Sequence, residues 1–201
     1  KNINLIIKLK KKIYLHEIIK IKKTKIFFDK ISSFKYLLKN SLTFLKKNNN
    51  ELIKKTKNNF IVISDNKLKL KQKRFIYSAR PRLLFCKIIN KLVYKNLIIF
   101  PTIEQKISKN AKIDKFAIIE NNVQIGNNTI IESGAIIKKN TIIGNNCIIR
   151  SGAVIGGEGF SFERTKKDLH HMKAFGGVKI GNNVSVGINS SICKSTFDFT
   201  L

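Results

Sequence analysis

Isoleucine occupies every sixth position from residue 107 to residue 155, and no other feature of the sequence restricts the possible folds as much. The nine positions are Ile107, Ile113, Ile119, Ile125, Ile131, Ile137, Ile143, Ile149 and Ile155. A small or β-branched residue stands two positions before most of them, as at Ala117, Thr129 and Ala153. An α-helix repeats every 3.6 residues and cannot hold positions six apart on one face, so the pattern excludes a helix here.

A period of six fits a short strand followed by a tight turn. Residues two apart in a strand face the same side, so each small residue and its isoleucine point inward together. Gly and Asn follow several isoleucines, as in IGNN at 125–128, and both tolerate the backbone of a tight turn. Three hexads then close a triangular coil, and coils stack at a spacing of about 4.8 Å. The pattern predicts a parallel β-helix.

The repeat is interrupted at residues 156–177 and then resumes in a new phase. Ile180, Val186 and Ile192 continue it, and the step from Ile155 to the first of these is 25 residues, which is not a multiple of six. We therefore expect residues 156–177 to leave the coil as a loop. Long loops of this kind are usually functional or disordered, and the phenylalanines in this one argue against disorder.

No hexads occur in the first hundred residues. KIFFD at 25–29 and NFIVIS at 59–64 are typical of short buried strands. The segment from Pro81 to Tyr94 predicts an amphipathic helix, because proline suits a first helical turn and Leu84, Ile88 and Leu92 recur on one face. The sequence thus predicts a small α+β domain over residues 1–97 and an incomplete β-helix over residues 98–201.

Positive charge is concentrated in the first half of the chain. The net charge is +28, and residues 1–100 hold 27 basic and 4 acidic residues. Such a surplus is typical of proteins that contact nucleic acid or anionic membranes. The lysines are scattered among Ile, Leu and Asn, which favours a compositional bias over an evolved nucleic-acid site. Weak contact with an anionic membrane stays compatible with the charge.

Cysteine and histidine usage indicates neither a disulfide framework nor a metal site. Cys86, Cys147 and Cys193 are far apart and lack CxxC spacing, which suits a reducing, cytoplasmic location. The sequence has no uncharged run of about 18 apolar residues, so no membrane span is expected. His170 and His171 lie in the predicted loop, where a general-base role and a plain surface role are both open. They are adjacent and lack a third ligand at a suitable spacing, so no metal is expected.

Five segments together resemble one family of hexapeptide-repeat enzymes. They are SLTFLKKNN at 41–49, SARPRLLFCKIINKL at 78–92, SGAVIGGEGFSFE at 151–163, FGGVKIGNNVSVG at 175–187 and SSICKSTFDFT at 190–200. In order and spacing they are similar to UDP-3-O-acylglucosamine N-acyltransferases over nearly the whole chain. The hexads alone would indicate only the wider class of hexapeptide-repeat acyltransferases.

The resemblance implies a left-handed β-helix and a homotrimer with active sites between neighbouring coils. It implies transfer of a 3-hydroxyacyl chain from acyl carrier protein to the amine of a UDP-linked glucosamine, a step of lipid A synthesis that needs no cofactor. The first domain would bind uridine, with Phe44 stacking on uracil and Asn48 near the position of the family's asparagine. Phe160 and Phe162 alternate along the chain, so one is expected to pack on the coil while the other lines an acyl groove.

The sequence departs from the family near its end. Cys193 and Lys194 replace an Asp-Arg pair, and of two successive acids only Asp198 remains. The family's catalytic histidine belongs to the coil after Leu201, so we expect a C-terminally truncated chain with no catalytic residue of its own and no useful N-acylation activity alone. Two alternatives stay open: a nucleotide-sugar acetyltransferase that uses acetyl-CoA, and a non-catalytic β-helix scaffold subunit.

Overall fold

A computed structural model describes residues 5–20, 23–33, 35, 37–45, 60–65 and 75–201. The chain divides into two compact units. We call residues 6–100 and 160–173 the sheet unit, and Leu5 with residues 101–159 and 174–201 the coil unit. Of the segment 156–177 predicted to leave the coil, only residues 160–173 belong to the sheet unit, whereas residues 156–159 and 174–177 belong to the coil unit.

Among its described residues, the sheet unit contains a six-stranded sheet and two helices. Its elements are β1 (Ile7–Tyr14), α1 (Leu15–Ile18), β2 (Phe27–Ile31), β3 (Ser41–Leu45), β4 (Ile61–Ser64), β5 (Phe75–Tyr77), α2 (Pro81–Tyr94) and β6 (Ile98–Ile99). The strand order is β5-β4-β3-β2-β1-β6. Strands β2 to β5 are mutually parallel, whereas β1 is antiparallel to both β2 and β6. The two strands expected at 25–29 and 59–64 are present as β2 and β4, each beginning two residues later than predicted.

Helix α2 begins and ends where the sequence predicts, and it packs against β3 and β4. Its buried face includes Phe85, Ile88, Ile89 and Leu92. Leu84, which the sequence also placed on this face, is only half-buried, so the face is turned slightly from the predicted one. Each fully buried side chain of this size contributes roughly 1.5–3 kcal/mol relative to an exposed one, and the helix is therefore held mainly by this face.

The coil unit begins with nine short strands. They are β7 (Lys106–Ile107), β8 (Lys112–Ile113), β9 (Ile118–Ile119), β10 (Gln124–Ile125), β11 (Ile130–Ile131), β12 (Ile136–Ile137), β13 (Thr141–Ile143), β14 (Ile148–Ile149) and β15 (Val154–Glu158). Strands three apart in the sequence pair in parallel, as β7, β10 and β13 do, so each coil contains three hexads. This arrangement confirms the predicted stack of parallel sheets, while its left hand stays a prediction from the resemblance.

The interruption forms a hairpin, after which the coil continues. The hairpin consists of β16 (Phe162–Arg164) and β17 (Leu169–His171), which pair in antiparallel fashion within the sheet unit. The coil resumes with β18 (Gly177–Ile180), β19 (Ser185–Val186), β20 (Ser191–Lys194) and β21 (Phe199–Thr200). These four strands stack on the earlier sheets, with Ile143 opposite Ile180 and Ile155 opposite Ile192, which confirms the predicted new phase.

The predicted inward isoleucines form the core of the coil. The six from Ile125 to Ile155 are buried, and Ile113 and Ile119 are partly buried against the same cluster. Ile107 pairs in register with Ile125 but is 38 % exposed, because it belongs to the first rung and has a partner on one side only.

The turns between hexads adopt the left-handed backbone that the Gly and Asn residues predict. Every sixth residue from 122 to 152 has a positive φ, between 54° and 71°: Asn122, Asn128, Gly134, Asn140, Asn146 and Gly152. Only glycine and, less readily, Asn adopt this conformation routinely, so the choice of residue fixes each corner of the coil.

Three carboxylates on the outer surface of the coil pair with a cation one rung away. Glu120 accepts a hydrogen bond from Lys138 at 2.7 Å, and Glu132 accepts one from Arg150 at 2.9 Å. The Lys138 ammonium and the backbone N–H of Lys139 lower the pKa of Glu120 below its ordinary value. The backbone N–H and hydroxyl of Ser151, with Arg150, do the same for the pKa of Glu132. The third pair joins Glu158 to Lys194 at 3.4 Å.

Candidate functional site

The sheet unit contains a cleft of about 370 Å³ where two parallel strands end and helix α2 begins. Its lining residues are Asp65, Ala79, Arg80, Pro81, Arg82, Leu83 and Glu163. Asp65 directly follows β4, residues 79–83 join β5 to the first turn of α2, and Glu163 lies on β16. Crevices outside the carboxyl ends of parallel strands are the usual ligand sites of α/β sheets, which makes this cleft a candidate site.

Two arginines on one wall of the cleft contact Glu163. The Arg82 guanidinium pairs with the Glu163 carboxylate and donates to the Ser161 hydroxyl at 2.6 Å. Arg80 lies 3.7 Å from the same carboxylate and donates to the backbone carbonyl of Arg164. The Glu163 side chain is only 14 % exposed, so its negative charge is held by cations rather than by water. These contacts attach the hairpin to the start of α2.

The middle of α2 contacts the second strand of the hairpin. The Asn90 amide donates to the backbone carbonyl of His171 at 3.1 Å, and the Cys86 thiol lies 3.3 Å from the same oxygen. Burial raises the pKa of the Cys86 thiol, although Arg82 acts in the opposite direction. The thiol is therefore neutral near pH 7 and serves as a weak donor, not as a nucleophile.

Of the two residues expected to contact uridine, only Phe44 lies within the described part of the chain. Phe44, on β3, is half-buried, and its ring centroid lies 4.9 Å from that of Phe85. One side of the Phe44 ring thus packs on helix α2, while part of the side chain stays accessible. Asn48 lies outside the described residues.

Phe160 and Phe162 both belong to the sheet unit. Phe160 is 94 % exposed, whereas Phe162 is half-buried, with ring centroids 4.6 Å from Phe160 and 4.9 Å from His171. The expectation that one of the two packs while the other lines a groove stays a prediction. Phe160 is the more exposed of the two rings.

The two adjacent histidines of the sequence lie on the second strand of the hairpin. His170 pairs with Glu163 across the hairpin, and its Nε2 atom is buried without a hydrogen-bond partner among the described residues. His171 lies against Phe162. In the part of the chain that the structure describes, no group of three His, Cys, Asp or Glu side chains is arranged to hold a metal ion.

Asp65, Arg80, Arg82 and Glu163 were not identified as site residues from the sequence. The segments SARPR and GEGFSFE contain three of them, but 81 residues separate Arg82 from Glu163 and nothing local indicates that they meet. Asp65 could have been found, because it directly follows the predicted strand at 59–64, and ligands of open α/β sheets bind outside the carboxyl ends of the strands.

No helix in the described ranges has the length and hydropathy needed to cross a membrane. The family model described as bacterial transferase hexapeptide (six repeats) matches residues 106–139 and 126–157. Both matches lie in the coil unit and cover β7 to β15 almost completely. No curated protein matches the chain at a significant level. The hexads therefore connect this chain with the broad class of hexapeptide-repeat transferases, a class in which acyltransferases are common.

Proposed function

We propose that this chain is an N-acyltransferase that acts on UDP-3-O-acylglucosamine and takes a 3-hydroxyacyl chain from acyl carrier protein in lipid A synthesis. The observation that carries the proposal is the coil of stacked hexads, the part that matches the bacterial transferase repeat. The choice of substrate rests on the resemblance of residues 151–163 and 175–187 to that family.

The proposal assigns the substrate contacts to residues of the sheet unit. In the reaction the amine nitrogen attacks the thioester carbonyl, an amide forms, the C–S bond breaks, and a base removes the amine proton. In this proposal the sheet unit holds the nucleotide through Phe44 and Asn48, and Phe160 contacts the acyl chain. Phe160 suits that role because an aromatic ring 94 % exposed gains free energy when an alkyl chain covers it. His170 is not assigned the base, because its Nε2 is buried.

The proposal includes a homotrimer in the cytoplasm. Isoleucines at outward positions of the coil support self-association, since Ile118 is 56 % exposed on its strand. Weak contact with an anionic membrane is consistent with the net charge of +28 and with an acylated product.

The first test is binding of UDP-3-O-acylglucosamine to the full chain by isothermal titration calorimetry. Base–aromatic stacking contributes about 1–3 kcal/mol, so Phe44→Leu should weaken binding roughly 5- to 150-fold. Leucine keeps the apolar contact with Phe85 and removes the ring. Phe116→Leu is the matched control, because Phe116 is 65 % exposed on the coil. Equal affinity of both variants would remove the support for Phe44.

The second test compares acyl donors by mass spectrometry of the product. Because no residue of this chain is assigned as the base, turnover is expected to be slow, and any N-acylated product should come from 3-hydroxyacyl carrier protein and not from acetyl-CoA. Product from acetyl-CoA alone would instead support a nucleotide-sugar acetyltransferase. Absence of nucleotide-sugar binding together with absence of turnover would support the non-catalytic scaffold.

A further inference from the structure

The hairpin formed by β16 and β17 has two chemically different faces. Residues two apart in a strand lie on the same face, and so do residues directly opposite each other on paired strands. The Glu163 carboxylate and the Ser161 hydroxyl both contact Arg82 of α2, so their face is turned toward that helix. Phe162 and Arg164 therefore lie on the opposite face, which we call the outer face of the hairpin.

The outer face is largely apolar. His171 pairs with Phe162 and Leu169 pairs with Arg164, which places both on this face. The Phe160 ring lies against that of Phe162, with 4.6 Å between the ring centroids. Phe160 is 94 % exposed and Leu169 is 52 % exposed, so water covers most of one aromatic side chain and half of an aliphatic one. Apolar side chains gathered at one exposed place indicate a contact surface, whereas single scattered ones do not.

Positive charge borders this apolar surface at the hairpin turn. Three basic residues, Arg164, Lys166 and Lys167, stand there beside a single acid, Asp168. All three basic side chains are exposed. Glu163 does not neutralise them, because arginines of α2 hold its carboxylate. The outer face thus combines exposed apolar side chains with a positive margin.

This combination fits the surface of an anionic bilayer better than the other partners that a basic face attracts. Aromatic and aliphatic side chains gain free energy when they leave water for the bilayer interface, and Lys and Arg beside them contact lipid phosphates. A nucleic acid would use the cations and the Phe160 ring, but an exposed leucine gains little from stacked bases. A second copy of this chain, with a net charge of +28, would bring like charge to the turn.

We propose that the outer face of the hairpin docks on an anionic lipid bilayer. Phe160 and Leu169 enter the interface, and Lys166 and Lys167 contact the phosphates. In its choice of partner the inference rests on the proposed function, which includes weak membrane contact argued from net charge alone. It adds the element that makes this contact and the side chains that meet the lipid. The two roles of Phe160 agree, because the acyl chain of a substrate and those of a bilayer have the same chemistry.

A single tryptophan tests the insertion, because the chain has none of its own. Full-length Phe160→Trp is titrated with vesicles of phosphatidylcholine and phosphatidylglycerol at about 0.15 M salt, which screens nonspecific attraction to a basic chain. Its fluorescence should shift to shorter wavelength, and lipids brominated on their acyl chains should quench it. Phe116→Trp is the matched control, because Phe116 is 65 % exposed on the coil unit, and its fluorescence should not respond.

Lysine variants measure the charge contribution by co-sedimentation with the same vesicles. One basic residue near an anionic surface contributes about fivefold in affinity, so the double variant Lys166→Gln with Lys167→Gln should bind about 10- to 30-fold more weakly. The double variant Lys106→Gln with Lys112→Gln removes the same charge from exposed positions of the coil unit, and its affinity should stay within about twofold of the parent.

A serine variant measures the apolar contribution. Leu169→Ser should weaken vesicle binding about 3- to 10-fold, because about half of the leucine surface is available for burial in lipid. Ile188→Ser, at a residue 68 % exposed on the coil unit, should leave binding unchanged. All these positions are exposed, and circular dichroism melts verify that each variant is folded.

Three results would overturn the assignment. The first is that the tryptophan at position 160 responds to vesicles no more than the one at position 116. The second is that both double lysine variants weaken binding equally, which would indicate attraction of the whole basic chain. The third is that the emission at position 160 shifts as far without lipid, either with a single-stranded oligonucleotide or on self-association. The vesicles contain no nucleotide sugar and no acyl carrier protein, so failure here leaves the acceptor and donor tests of the proposed function unaffected.

Discussion

Truncation of Ile131 measures how strongly the inward stack stabilises the coil. Ile131 is 1 % exposed and pairs in register with Ile113 below and Ile149 above. Its chain neighbour Ile130 lies on the same two-residue strand and points outward, with 36 % of its surface exposed. The two positions share strand, rung and residue type, and they differ in burial.

The size of the effect follows from this burial. Truncation of a fully buried isoleucine to alanine costs about 2–5 kcal/mol, through lost apolar burial and the cavity left behind. Ile130→Ala removes the same atoms from a surface that water already reaches, so its cost should stay below about 1 kcal/mol, the span of strand propensities. Ile131→Lys should exceed both, because it buries an unpaired charge in the stack.

Urea denaturation followed by circular dichroism gives the unfolding free energy of each variant. The expected order of destabilisation is Ile130→Ala, then Ile131→Ala, then Ile131→Lys, with the last failing to form the coil. Equal losses for the two alanine variants would contradict the inward and outward assignment. Unfolding of Ile131→Lys at the urea concentration of the parent would refute the hexad stack itself.

Three further predictions concern the carboxylates, the corners and the hairpin. The pKa values of Glu120 and Glu132 are lowered in the fold, so these carboxylates stabilise it fully above about pH 5, and this stabilisation is lost as pH falls through their folded pKa values. In urea titrations, the double Gln variant should therefore lose less unfolding free energy between about pH 6 and pH 3 than the parent does. Asn140 is 4 % exposed with φ near 63°, and its side-chain amide forms hydrogen bonds with the backbone of residues 101 and 103. Thermal melting should therefore show that Asn140→Ala lowers the unfolding free energy by about 2–4 kcal/mol, whereas Asn128→Ala, at an exposed corner, should lower it by about 1 kcal/mol. Glu163→Gln should speed trypsin cleavage in the hairpin turn by about 5- to 30-fold, because weakening a partly buried ion pair by about 1–2 kcal/mol raises the open population by that factor. The control Glu104→Gln, exposed on the coil unit, should leave the rate unchanged.

The coil could be predicted in detail because each hexad specifies its own conformation. The inward isoleucine, the small residue before it and the left-handed Asn or Gly all lie within six residues of one another. No distant contact is needed to place them, and stacking then follows from repetition. Helix α2 was predicted from Pro81 and its apolar spacing for the same reason. The error at Leu84 arose because the position of the sheet, not the helix, determines which part of the apolar face is buried.

The cleft could not be predicted because its parts come from distant segments. The pairing of Arg82 with Glu163 requires the hairpin to lie on α2, and only the three-dimensional fold brings those elements together. The strand order of the sheet unit could not be predicted for the same reason, since β6 pairs with β1 across about ninety residues. The net charge did not indicate the cleft, because lysines greatly outnumber the few arginines that make specific contacts there.

We expect self-association through one sheet of the coil, which carries apolar residues on its outer side. Ile118, Ile136 and Val154 stack there in register, and Ile118 is 56 % exposed. A continuous apolar ladder in water is unfavourable, and a second copy of the coil would cover it. Sedimentation at micromolar concentration is expected to give a trimer, as the resemblance implies. Ile118→Lys should dissociate it without unfolding the coil, whereas Gln124→Lys, outward on another sheet, should not. A folded parent that sediments as a monomer would contradict this prediction, because the exposed ladder would then need no partner.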